Sequence, residues 1–312
     1  MLQALTRKID KLKTTKLEGV AQRLWVVPIT GPSDAEPGYS LLDAKALEKV
    51  QITEVSEGGQ VPNLLVRNDL DTSLLLLDGQ GLVGAKQNRI LNTDVLVPAR
   101  HELTIPVSCV ESGRWKYRSR GFSPGSSSSY YMRAAKVARV HQSLKSSHGY
   151  DADQRAVWNE VKRSLLDSKS SSASSALHDA YSQHAETLSQ ARSPLKLPDD
   201  AVGFAVFHRR EFLGLDLFDR CATMRYYWET LLDSYLIDLL YVVDASTDED
   251  APQASDAAAI MAEVANETWE PFKSPGEGHD YRLETKQYAG SALVWDERVV
   301  LHLQLFPQGV KR

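Results

Sequence analysis

Along the first 120 residues, short apolar runs rich in Val, Ile, Leu and Thr alternate with turn-forming clusters such as SEGGQ, NDLD and DGQG. Period-two alternation between such breaks is the mark of strands. It predicts strands at 24–29, 50–55, 63–68, 73–78, 88–97 and 102–110, with a short helix at 41–50. From 121 to 198 the pattern changes. A Ser-rich stretch, GFSPGSSSSYY, leads into helical stretches at 130–145, 153–167 and 174–191. In the second of these, Ala156, Val157, Val161 and Leu165 make an apolar stripe, and Asp151 or Asp153 is placed to cap its start. The remainder predicts a hairpin of 202–208 and 212–217, a long helix at 222–243 and an acidic linker, DASTDEDAPQASD. A further helix ending near Trp269 follows, then strands at 292–295 and 298–306.

These elements predict an α+β fold: an antiparallel β-sandwich or open-barrel-like core, with a helical insertion and a C-terminal long helix plus hairpins. The expected organisation is a mainly β part (1–120), a helical insertion that is Ser-rich and basic at its start (121–198) and a mixed part (199–312) packing on the first, together one composite domain. LLLLDGQGLVGAKQ, FAVFHRREFLGLDLF and ALVWDERVVLHLQLF share an apolar–turn–apolar form, either a reused hairpin unit or convergent patterning.

Composition narrows the class. At 312 residues, 42% hydrophobic and 25% charged, the chain reads as a soluble globular protein that needs no disulfide or metal staple. Cys109 and Cys221 stand far apart in unrelated contexts, which fits a cytoplasmic location. The apolar residues Leu2, Leu5, Ile9 and Leu12 do not build a secretory signal. Asp233 and Asp238 interrupt the longest apolar stretch, so no membrane span is expected.

Charge is the least even property. Residues 112–150 carry eight Lys or Arg (Arg114, Lys116, Arg118, Arg120, Arg133, Lys136, Arg139 and Lys145) and no Asp or Glu, against a net charge of −5 overall. Such an excess implies an anionic counterpart: a phosphorylated ligand, a nucleic acid, or an acidic surface of the same protein. The stretch from Asp238 to Asp280, with eleven acidic residues and one Lys, is an internal candidate. Arg133, Lys136 and Arg139 fall along roughly one side of a helix, suited to nucleic-acid phosphates or to that acidic stretch. The Ser-rich loop before them holds the components of a phosphate site, or is simply solvated.

Two polar clusters carry the candidate chemistry. Lys86, Gln87, Asn88 and Arg89 follow Gly84; alternation sets Gln87 and Arg89 on one face and Lys86 and Asn88 on the other. They suit the floor of a pocket for phosphate, carboxylate or amide groups, or a solvated strand entry with Arg89 tied to a structural acid. The second cluster, PVSCVESGRW, places Cys109 and Glu111 on one strand face ahead of Gly113, Arg114 and Trp115. Cys109 is a small core residue or a nucleophile, and Glu111 an ion-pair partner of Arg114 or Arg89 or an acid/base. Arg114, Trp115 and Arg118 are candidate anion and base contacts, and Asp216 a functional carboxylate or one used in helix capping or an ion pair. The eight histidines are scattered without a metal-binding motif, and neither a metal nor a cofactor is expected.

LLLLDGQGLVGAKQNRILNTDVLVP, IPVSCVESGRW, GFAVFHRREFLGLDLFD and LLDSYLIDLL together resemble the ADP-ribosylglycohydrolase and rhodanese-phosphatase-superfamily-associated protein family, an uncharacterised prokaryotic family. The resemblance spans most of the chain outside the helical insertion and the acidic linker. It implies a role near NAD or ADP-ribose metabolism and supplies no catalytic residues. The expected function is a cytoplasmic binding protein for a phosphorylated or nucleotide-like small molecule. The alternatives are a hydrolase or transferase using Glu111 or Cys109, and a nucleic-acid or protein interaction module using the basic segment. Oligomeric state stays open.

Overall fold

The computed structural model describes residues 3–15, 18–19, 24–33, 38–59, 61–241, 251–296 and 299–310. In chain order, α1 (Gln3–Ile9), β1 (Lys13–Thr14), β2 (Glu18–Gly19), β3 (Leu24–Thr30), β4 (Tyr39–Leu41) and β5 (Val50–Glu54) come first. Then follow β6 (Asn63–Asn68), β7 (Ser73–Leu76), β8 (Gly81–Gly84), β9 (Arg89–Leu91), β10 (Val95–Val97), β11 (His101–Cys109) and β12 (Phe122–Gly125). Four helices succeed them, α2 (Tyr130–Lys145), α3 (Gln154–Asp167), α4 (Leu177–Gln183) and α5 (Ala185–Arg192). The chain continues with β13 (Ala201–His208), β14 (Glu211–Phe218), α6 (Cys221–Leu239) and α7 (Ala254–Ala265). It ends with β15 (Glu270–Lys273), β16 (His279–Glu284), β17 (Tyr288–Trp295) and β18 (Val299–Pro307).

The fold is α+β, with almost entirely antiparallel sheets. A nine-stranded sheet runs β1-β3-β13-β14-β18-β17-β16-β15, with β2 also on β3. A six-stranded sheet, β12-β8-β9-β11-β6-β5, curls into a nearly closed barrel: a Cβ on Gly121, just before β12, would lie 3.1 Å from the Ile52 carbonyl of β5. The third sheet is β10-β7-β4, in which β4 runs parallel to β7.

Apolar patterning follows from this layering. Side chains of β3 divide between two cores: Leu24 and Val26 pack with Phe204, Val206 and helices α2, α3 and α6, while Val27 and Ile29 pack with Leu215, Leu217, Leu5 and Met261. A sheet covered on both faces favours near-continuous apolar runs over alternation, which is why LWVVPIT has no polar side. A third core fills the barrel with Ile52, Leu64, Val66, Leu82, Leu91 and Val107. Asp153 caps α3, accepting from the N–H groups of Arg155 and Ala156.

Several sequence expectations need correction. Residues 41–50 form no α-helix, only a 3-10 turn at Ala46–Glu48, begun by Asp43 accepting from the Ala46 N–H at 2.7 Å. The expected strand 88–97 is two strands in different sheets, because Asn92, Thr93 and Asp94 turn the chain inward to buried polar partners. The stretch 174–191 breaks into α4 and α5 at His184, whose ring is bonded to the Ser168 carbonyl at 2.7 Å. Two of the three similar stretches are hairpins, joined side by side through β14 and β18; in the other, β7 and β8 belong to different sheets. The Ser-rich stretch is not a solvated loop: Ser127, Ser128 and Ser129 are buried, and the first two donate to the Gly79 carbonyl at 3.3 and 3.1 Å. β15 and β16 were not foreseen. Residues 242–250, with much of the acidic linker and the expected end of the long helix, lie outside the described residues. Among the described residues, no helix is long and apolar enough to cross a membrane.

Candidate functional site

Gly84 and Ala85 turn the chain sharply between β8 and β9, both at positive φ (138° and 35°). Only glycine fits the first position, since a Cβ there would lie 2.5 Å from the Gly121 carbonyl. The turn sends Lys86, Gln87, Asn88 and Arg89 toward the end of β11, so the two polar clusters meet. Their meeting point is an ion pair of Glu111 with Arg114 at 2.6 Å. The Glu111 carboxylate also accepts from the Asn88 N–H at 3.0 Å and the Ser174 hydroxyl at 2.7 Å. Arg114 donates besides to the carbonyls of Ala85 (2.6 Å), Lys116 (2.9 Å) and Gly84 (3.2 Å) and to Asn88 Oδ1 (3.2 Å). A guanidinium has five N–H donors, and every one of them is engaged here. Burial pushes Glu111 up, but the hydrogen bonds from Arg114, Ser174 and Asn88 outweigh it and hold the carboxyl below its usual range.

Cys109 is buried beside this pair, its thiol donating to Gln87 Oε1 at 2.9 Å. Burial raises its pKa despite the nearby Arg89, so the sulfur stays a protonated thiol. Cys109 and Glu111 thus have the chemistry of scaffold groups: a neutral thiol and a saturated carboxylate.

Outward from this scaffold the character reverses. Trp115 and Tyr117 are 48% and 51% exposed, and the Lys86 ammonium lies 5.3 and 5.1 Å from their ring centroids. Lys86 is held there by the Glu57 and Gly58 carbonyls, the latter at 2.8 Å. Lys116, Arg118 and Arg120 extend from the same loop into solvent. Of the eight cations between residues 112 and 150, four are met by acids: Arg114 by Glu111, Arg133 by Asp216, Lys136 by Asp78 and Lys145 by Glu284. Lys116, Arg118 and Arg120 have no acidic partner among the described residues. Arg89 and its neighbour Glu54, on β5, sit directly beneath Trp115; both are buried, 3.7 Å apart. Glu54 was absent from the sequence-level candidates, although alternation in VQITE puts it on the inward side with Val50 and Ile52.

A second polar assembly is sealed between the nine-stranded sheet, the turns around the barrel and α2. His302 lies between Asp94 (2.9 Å) and Asp216 (3.2 Å), and Asp216 is paired with Arg133. Lys136 contacts Asp78 and donates to the Leu91 carbonyl at 3.0 Å. Arg282 reaches Asp280 at 2.8 Å and Thr93 at 2.7 Å. Only Arg133, Lys136 and Asp216 were singled out from sequence; Arg133 and Lys136 face this interior rather than a partner outside. His302 and Gln304 had a signal, two polar residues at period two in the apolar run LHLQLF. Among the described residues no group of three His, Cys, Asp or Glu side chains is placed to hold a metal. A groove of about 1000 Å³ is lined in part by Asn92, Ser108, Tyr150 and Gln154.

Comparison with curated proteins and with solved structures found no match. The sequence model of the ARG and Rhodanese-Phosphatase-superfamily-associated Protein domain matches residues 16–306 of the 312, and the chain therefore belongs to that family.

Proposed function

We propose that the face built by Trp115, Tyr117, Lys116, Arg118 and Arg120, with Lys86 and Arg89 behind it, binds a phosphorylated, nucleotide-like small molecule of the ADP-ribose or NAD type. One observation carries this reading. Internal ion pairs neutralise four of the eight cations of the segment; of the other four, Arg139 lies on α2, while Lys116, Arg118 and Arg120 stand together beside two half-exposed aromatic rings. Guanidinium groups match phosphate oxygens in charge and geometry, and an exposed indole offers a stacking face to a base. The family resemblance points toward the same ligand class. Glu111, Asn88 and Arg114 would act as the scaffold that presents the loop, and Gln87 as the group that orients Arg89. A hydrolase or transferase built on Glu111 or Cys109 has less support, because the carboxylate is saturated and the thiol protonated.

Calorimetric titration with ADP-ribose, NAD and pyrophosphate tests the proposal. Relative to the wild type, binding should weaken at least tenfold in Trp115→Ala and Arg118→Ala, with the melting temperature of Arg118→Ala unchanged because that side chain is exposed. A wild type that binds none of the three would overturn it.

A further inference from the structure

The two arginines of the site are treated differently by the fold. Arg114 has every donor filled, whereas buried Arg89 uses only Nη1, which donates to the Gln87 carbonyl (3.1 Å), Gln87 Oε1 (3.3 Å) and Cys109 Sγ (3.5 Å). Arg89 Nε and Nη2 have no hydrogen-bond partner among the described residues, and neither do Oε1 and Oε2 of Glu54. The closest approach of the two groups, 3.7 Å, is beyond hydrogen-bond reach. Donors on one side and acceptors on the other are therefore held side by side, buried and paired in charge but without hydrogen bonds between them. Buried groups left in this state are costly and rare, so each one calls for a physical reason. The same turn saturates Arg114, so the local backbone is fully able to satisfy a guanidinium.

The cover over this pair is slight. Trp115, half exposed, has its ring centroid 5.8 Å from the Arg89 guanidinium carbon. Gly59, at φ +74°, closes the other side: a Cβ there would lie 3.3 Å from Glu54 Oε2 and 3.4 Å from Trp115 Cζ2. A glycine turn and a surface indole can shift without disturbing the barrel.

We infer that the Arg89–Glu54 pair is the specificity element of the site, reading a planar edge that carries a hydrogen-bond acceptor next to an N–H donor. Arg89 Nε and Nη2 donate to the acceptor, and the Glu54 carboxylate accepts from the N–H. Purine bases and a carboxamide both present such an edge, whereas phosphates and sugars do not. This deepens the proposed function and rests on it: the outer loop would take the phosphates, and the pair beneath Trp115 would choose what is attached to them. Sites with buried polar groups discriminate strongly, because a ligand lacking the matching edge leaves those groups unpaired.

The test is titration of the whole protein with pyrophosphate, ribose 5-phosphate, ADP-ribose and nicotinamide mononucleotide. The last two bear a purine edge and a carboxamide edge, so they distinguish the two sources. Wild type should prefer at least one of them over ribose 5-phosphate by tenfold or more. Glu54→Gln, nearly isosteric, should abolish that preference while changing pyrophosphate affinity less than threefold, and Arg89→Lys should likewise abolish the preference. Equal affinities for edge-bearing and edge-free ligands in the wild type would overturn the inference and leave the anion-binding reading intact, without recourse to any variant. Discrimination that survives in folded Glu54→Gln would also overturn it. Failure of all four ligands to bind would remove both.

Discussion

His302 makes the interior of this protein sensitive to alkali. The ring is fully buried, stacked on Phe218 with centroids 4.7 Å apart, and flanked by Asp94 at 2.9 Å and Asp216 at 3.2 Å. Burial alone would drive the imidazolium to lose its proton, but the two carboxylates outweigh it and raise the pKa from 6.5 to about 9. A base whose pKa is higher folded than unfolded contributes stability that is fully present below 6.5 and is lost as pH rises through 9. At 1.36 kcal/mol per pH unit of difference, that contribution is about 3 kcal/mol. Lys136 runs the other way: burial lowers its pKa, so its effect is to raise stability with pH. The clean measurement is therefore the difference between wild type and His302→Gln, in which contributions shared by both proteins largely cancel. Urea denaturation at intervals from pH 6 to pH 10 should show the gap between them shrinking by about 3 kcal/mol. A gap that stays constant across this range would refute the reasoning, because His302 would then be neutral in the folded protein.

Asp216→Ala should destabilise the fold by about 3–5 kcal/mol, since it leaves the Arg133 guanidinium buried without its carboxylate; the urea midpoint at pH 7 measures this, and a shift under about 1 kcal/mol would count against a charged pair. Gln154 bridges α3 to the edge of β11 like a short strand, accepting from the Cys109 N–H and donating to its carbonyl, both at 2.8 Å. Gln154→Ala should cost about 1–3 kcal/mol and speed hydrogen exchange at the Cys109 amide, with the rest of β11 still protected.

Local pattern was sufficient for elements whose reasons are local. The α2 boundaries and the Asp153 cap lie in apolar periodicity and capping chemistry that neighbouring residues display. The break between β9 and β10 had no such cue. Asn92, Thr93 and Asp94 look like ordinary residues of a strand until Ser108, Arg282 and His302 are brought to them, the last two from 189 and 208 residues away. β15 and β16 were hidden for the same reason. Asp280 and Arg282 give that stretch a polar look, yet both are buried and compensate each other. Polar residues matched at long range remove the very alternation that announces a strand.

The cationic segment shows how far charge alone can carry an assignment. Its excess pointed correctly to a need for anions, but half of that need is met by acids from four separate parts of the chain: Asp78, Glu111, Asp216 and Glu284. Arg114 and Arg118, equivalent as letters four residues apart, end in opposite situations, one saturated by carbonyls and a carboxylate, the other exposed. Arg114→Ala would strip partners from Glu111, Asn88 and the Gly84 turn together, so lost binding in that variant would report a collapsed scaffold. Arg118→Ala removes a charge and little else. Affinity lost there at an unchanged melting temperature is the result that separates a ligand contact from a structural ion pair.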